Sequence, residues 1–118
     1  DYTVDSTNGI ITFDTAGTYS ITYHAVGQQS LNNRTELNVK IQVRETTTFS
    51  DVPAARDAQY CSRNSAQDEG SVQINNFLLQ ADSGDDIRFL MFTAGVFKDF
   101  GEDDVRITII KLNDTGRT

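Results

Sequence analysis

Apolar and polar residues alternate along most of this chain. Tyr19-Ser20-Ile21-Thr22-Tyr23-His24-Ala25 places an aromatic or aliphatic side chain at every second position. Successive side chains of an extended strand point to opposite faces, so such a run has one dry face and one wet face. Leu37-Asn38-Val39-Lys40-Ile41-Gln42-Val43 repeats the pattern. Val105-Arg106-Ile107-Thr108-Ile109 repeats it again and then slips phase at Ile110. Val72-Gln73-Ile74 runs into Phe77-Leu78-Leu79 with another change of phase, and Ile87 to Phe92 is apolar enough to predict burial on both faces. A phase slip marks either a β-bulge or a strand covered on two sides.

These runs predict strands at residues 9–13, 18–26, 36–44, 57–62, 71–80, 86–93 and 104–112, with a further one near residues 2–4. Turn residues separate them: Asn8-Gly9, the stretch from Asp14 to Gly17, and Asp82-Ser83-Gly84-Asp85, which suits a tight hairpin. The only proline, Pro53, lies in residues 46–58. That segment lacks alternation and reads as a long crossover connection, with at most one helical turn between Ala54 and Tyr60. No window carries a clean helical stripe. Short strands at regular spacing predict an all-β fold, an antiparallel sandwich or jelly roll.

Composition narrows the function. A chain of 118 residues is one domain, residues 1–118. Seventeen acidic residues against ten basic ones give a net charge of −7, which argues against holding nucleic acid by its phosphates. No apolar run approaches the ~20 residues of a membrane-spanning helix, so no membrane insertion is expected. A single cysteine, Cys61, excludes an internal disulfide and a cysteine-rich metal site. The chain opens at Asp1 without a leader-like segment and reads as an excised domain. An apolar fraction of 37% is modest beside seven Phe and four Tyr.

The run from Ile11 to Ala25 resembles the signature of the complement-one-q globular head, one of the tumour-necrosis-factor-like jelly rolls. Gly17, Tyr19, Tyr23 and His24 stand at the signature's Gly-x-Tyr and Tyr-His positions, with Ile11 and Ile21 where Phe is usual. Residues 36–43, 70–89 and 105–112 follow in the family's order, although Val105-Arg106-Ile107 replaces the usual Phe-x-Gly-Phe start of the closing strand. The resemblance implies a sandwich of about ten strands that assembles as a homotrimer at the C-terminal end of a longer, stalked protein. It implies binding without catalysis. A spike head on a virion, or an extracellular or cell-surface head, that docks a cell-surface receptor is the expected role. The alternative is a structural domain that registers a fibrous stalk and has no ligand. The strands holding Tyr19 to Tyr23, Val72 to Leu79 and Val105 to Ile109 would build the trimer surface. Tyr19, Tyr23, Ile74, Phe77, Ile107 and Ile109 are the candidates for trimer interface or core.

Little else points to chemistry. His24 is the only histidine and sits on the polar side of its strand, where neither a triad nor a metal site has partners in sequence. Cys61 has Arg56 and Arg63 nearby but no general base, and reads as a small strand-end residue. Two acidic turns, one holding Asp85 and Asp86 and the other Asp103 and Asp104, could offer oxygen ligands to calcium, the one candidate cofactor. Neither has the spacing of an EF-hand, and Asp is also a common solvated turn residue. Asn33-Arg34-Thr35 and Asn113-Asp114-Thr115 fit the glycosylation acceptor pattern. Asp99-Phe100-Gly101 matches a kinase tripeptide without any of the motifs that give it meaning. Phe77, Phe89, Phe92, Phe97 and Phe100 could form a carbohydrate-stacking or hot-spot platform, but read as core first and subunit contact second.

Overall fold

The strands follow from the alternation. The computed structural model describes residues 1–29, 35–61, 69–94, 97–99 and 105–118. Nine strands lie among them: β1 (Tyr2–Asp5), β2 (Ile10–Phe13), β3 (Gly17–Gln29), β4 (Thr35–Arg44), β5 (Phe49–Cys61), β6 (Glu69–Ala81), β7 (Asp86–Ala94), β8 (Phe97–Asp99) and β9 (Val105–Asn113). They form two antiparallel sheets, as the sequence predicted. One has the order β1-β2-β7-β4-β5. In the other, β3 pairs with β6 on one side and with β9 and the short β8 on the other.

The dry face of each alternating run is the core. Tyr19, Ile21, Tyr23 and Ala25 of β3 are at most 1% exposed and face Leu37, Val39 and Ile41 of β4, together with Phe13 and Ile87, across the sandwich. Aromatic pairs bind the sheets together: the Phe13 and Tyr19 rings lie 4.4 Å apart and tilted, and Tyr23 stacks on Phe89 at 4.9 Å. Such pairs add about 0.5–1.5 kcal/mol beyond their burial.

The phase slips have separate causes. On β6, Ile21 pairs with Phe77 while Tyr23 pairs with Ile74, so Asn75 and Asn76 together oppose Thr22. This bulge puts Asn76 at φ 48, and its N–H donates to the Thr22 hydroxyl at 3.1 Å. At Ile110 the ladder is unbroken: Ile110 pairs with Ser20, points outward and is 55% exposed. The bulge of β9 comes two residues later, at Leu112, where Tyr19 pairs with Lys111 and Thr18 with Asn113. The expected double burial of residues 87–92 is also corrected. Ile87 is buried, but Leu90 is half-buried and Phe92 is 44% exposed on the outer face.

Residues 46–58 are not a crossover. Most of them belong to β5, which pairs with β4 from Phe49 to Cys61. The alternation is hidden by a wide bulge: Lys40 pairs with Arg56 and Gln42 with Asp51, leaving residues 52–55 opposite Ile41 alone. Pro53 sits in this bulge and Ala54 adopts φ 65. A proline without an N–H is tolerated there because β5 is an edge strand.

The two sides of the sandwich differ. Edge strands β5 and β6 seal one side, where the Asp57 carboxylate accepts from the Gln73 N–H at 2.8 Å and the Gln59 side-chain oxygen from the Ser71 N–H at 3.0 Å. The side between β9 and the β1–β2 hairpin stays open. Replacing Tyr23 by Asp would put a charge at a fully dry position. The variant is expected to lose more than about 4 kcal/mol of stability, read as a lowered urea midpoint. An unchanged midpoint would show that this face of β3 is not dry.

Candidate functional site

Three surfaces hold the residues that could act. The first is a charged cluster at the end of the sandwich where Asp1 and Thr118 both lie. Here the chain turns at Gly84, whose φ of +91 suits glycine. It crosses from β6 in one sheet to β7 in the other, so Asp82-Ser83-Gly84-Asp85 joins the two sheets and is not the tight hairpin expected from sequence. The Gly84 N–H donates to the Phe13 carbonyl at 2.8 Å, and the Phe13 N–H to the Asp85 carbonyl at 2.9 Å. Asp85 is 2% exposed. Its carboxylate accepts from Arg117 Nε at 2.7 Å and Nη2 at 3.1 Å, and from the Asp82 N–H at 2.8 Å. Asp82 accepts from the Arg117 N–H and from the Thr118 hydroxyl. The C-terminal residues are thereby strapped over this turn. A close approach also explains Gly17: a Cβ there would lie 2.7 Å from the Asn113 carbonyl oxygen.

Asp86 lies one strand position away, bonded by the Thr12 hydroxyl and by Arg44, whose Nε donates at 2.9 Å. The two aspartates proposed from sequence as cation ligands are thus engaged by guanidinium groups. No cluster of three or more potential metal ligands occurs among the described residues. Asp103 and Asp104 lie outside the described residues, as do Asn33, Phe100 and the side chain of Cys61.

The second surface is the outer face of β6, β3 and β9. Its register sets Ser20 and Thr22 of β3 beside Ile110 and Thr108 of β9, with Leu78 opposite Ser20 on β6. Leu78, Ile110 and the bulge residue Leu112 are 60%, 55% and 54% exposed. His24 lies on this face opposite Gln73 and Arg106.

The third surface is an apolar groove of about 200 Å³ at the open side. Val4, Ile11, Tyr23, Phe89, Met91 and Ile107 line most of it. The Tyr23 hydroxyl closes its floor by donating to the Met91 sulfur. Burial pushes the Tyr23 pKa up to about 12.

The six residues proposed for interface or core all take the inward register. Tyr19, Tyr23 and Ile74 are buried, Phe77 and Ile109 pack on the core half-buried, and Ile107 stands 42% exposed at the groove mouth. Sequence reasoning missed Leu78, Ile110 and Leu112. The signal was present: each is an apolar residue out of phase with its strand's dry face. Arg117 left no such signal, because the tail has no period.

Neither the scan of protein-family models nor the search of curated proteins finds a match. Among solved structures, the fold is similar to that of the Eiger TNF from S. frugiperda, with a TM-score of 0.73 and 16% identity over 97% of this chain and 70% of that one. The sandwich is therefore a jelly roll of the tumour-necrosis-factor type.

Two pH limits follow from these groups. The Thr118 hydroxyl holds the Asp82 carboxyl below its usual range, and the Gln42 amide and Lys40 do the same for Asp51. A depressed carboxyl stabilises the fold above its unfolded pKa, near 3.8, and that contribution is lost as pH falls through the lower folded value. Tyr23 has the opposite sense: its neutral form is favoured, so stability holds below pH 10 and declines as pH rises towards about 12. Denaturation midpoints are expected to fall at both extremes. Asp82→Asn should flatten the acid limb and Tyr23→Phe the alkaline limb; unchanged limbs in these variants would contradict the assignments.

Proposed function

We propose that this chain is the head of a homotrimer displayed on a cell or virion surface or outside the cell, and that it docks a surface partner without catalysis. The observation that supports this reading is a contrast between the two outer faces. Along β4, β5 and β7 the outer face presents Glu36, Lys40, Arg44, Asp51, Arg56, Asp86 and Arg88. From Thr18 to His24, the outer face of β6, β3 and β9 presents one formal charge, Arg106, among hydroxyl and amide side chains. It also exposes Leu78, Ile110 and Leu112. Few charges and several exposed apolar side chains are the marks of a surface that another chain covers.

The likeness to a tumour-necrosis-factor structure agrees with this assignment. So does the chain path. β3, β5 and β7 end, and β4, β6 and β9 begin, away from Asp1 and Thr118. A head held at the Asp1 end would present those strand ends outward. Three heads on one stalk would raise avidity without any new contact.

Light scattering on the purified chain is expected to give three chain masses. Leu78→Glu and Ile110→Glu, each checked for retained strand content by circular dichroism, should weaken assembly at least about tenfold. A folded wild-type monomer at micromolar concentration would overturn the trimer. A trimer that fails, at high excess, to compete with its parent particle or protein for cells would favour the purely structural role.

A further inference from the structure

The outer face of β5, β4 and β7 breaks a rule of sheet design. Lys40 and Arg56 are directly opposite each other on β4 and β5. Like charges in that position repel across the ladder. Four of the chain's ten cations, Lys40, Arg44, Arg56 and Arg88, gather on this face with three carboxylates, so it is locally positive on a protein of net charge −7. Two of the four are occupied: Arg44 pairs with Asp86, and Lys40 with Asp51 at 3.1 Å. Arg88 lies over the Phe49 ring and donates to Gln42. Arg56 makes no ion pair or hydrogen bond among the described residues and acts on Asp51 only through space. Asp51 offsets part of the Lys40–Arg56 repulsion, since it bonds Lys40 and attracts Arg56, but one carboxylate serves two cations. A conflict between local rules that the fold relieves only in part is a mark of function.

An exposed ring stands beside Lys40. Phe92, on β7, is 44% exposed and lies 5.6 Å from the Lys40 ammonium. Tyr60, on β5, is 63% exposed. The register sets Phe92, Asn38 and Ala58 in one row across the three strands and Leu90, Lys40 and Arg56 in the next. In that row Ala58 has a single methyl, and Asn38 is 4% exposed, covered by its neighbours. A ring on β7 and an unengaged guanidinium on β5, one row on and across β4, suit a ligand that is flat and apolar on one side and anionic at its edge.

We propose that this patch binds a carboxylated sugar. The C–H face of the sugar ring stacks on Phe92, and its carboxylate takes the guanidinium of Arg56 in a two-bond fork, with Lys40 adding charge. The anion gives Arg56 a bonded partner and relieves what Asp51 leaves of the repulsion between Lys40 and Arg56. At physiological salt the screening length is about 8 Å, so the local charge outweighs the distant acidic residues. The proposal deepens the attachment reading and rests on it for its role, but the patch is complete within one protomer.

The test titrates sialyl-lactose into the isotope-labelled protein, with lactose and a penta-glutamate peptide alongside, and follows amide resonances. Sialyl-lactose is expected to shift Lys40, Arg56 and Phe92, lactose to leave them in place, and the peptide to bind at least about tenfold more weakly because it offers no ring to stack. Phe92→Ala should weaken sugar binding at least about fivefold. Arg56→Gln should weaken it as much while keeping or raising the melting temperature, which a merely structural arginine would not do. Equal response to lactose, equal affinity for the peptide, or unchanged binding in both variants would overturn the proposal. Light scattering on the same samples separates the two readings. A trimer blind to the sugar overturns this site and leaves attachment standing, whereas a monomer that binds it overturns the trimer and leaves the site.

Discussion

The structure depends on the burial of one face of β3. That strand is paired on both sides, by β6 and by β9, and its inward residues Tyr19, Ile21, Tyr23 and Ala25 have almost no solvent contact. Burying a large apolar side chain contributes about 1.5–3 kcal/mol. Tyr19 and Tyr23 also make the ring contacts with Phe13 and Phe89 that join the two sheets. Because strand period is two, a one-residue slip of β3 would expose every one of these side chains together. The hydroxyls that alternate with them are thereby committed to the opposite, outer face.

That constraint divides the labour between the surfaces. The outer face of β3 has only Ser, Thr and His to show over its central part, so the apolar character there comes from its neighbours, Leu78 on β6 and Ile110 and Leu112 on β9. The opposite sheet is laced with ion pairs such as Lys40–Asp51 and Arg44–Asp86. At the base, Arg117 links Asp85 and Asp82, and closes the chain end over the turn that joins β6 to β7. The modest apolar fraction is thus enough. Each sheet needs one apolar face, and part of the remaining apolar area lies on the outer face of β6, β3 and β9, which the proposed trimer would cover.

Much of the fold was legible in the sequence because alternation is a local signal. The runs at Tyr19, Leu37 and Val105 gave the right strands and the right dry face. Residues 46–58 were misread because the bulge around Pro53 spreads four residues opposite Ile41 and erases the period. The slip at Ile110 was seen but not its meaning, since an exposed apolar residue and a bulge look alike in one dimension. The acidic turn at Asp85 was found, yet its partner Arg117 is 32 residues away and no spacing announces it. The Lys40–Arg56 pair is likewise a product of register, visible only once the wide bulge is known.

The central claim is that β3 divides its sheet into a face that is dry in every chain and a face that becomes dry on assembly. Hydroxyl-radical footprinting read by mass spectrometry, on dilute and on concentrated protein, tests both halves at once. The account expects Tyr19, Ile21 and Tyr23 to be protected at every concentration. Leu78, Ile110 and Leu112 should react in the dilute sample and become protected as trimer forms. Reactive Tyr19 and Tyr23 in a folded chain, or Leu78 and Ile110 still reactive in an assembled trimer, would contradict it.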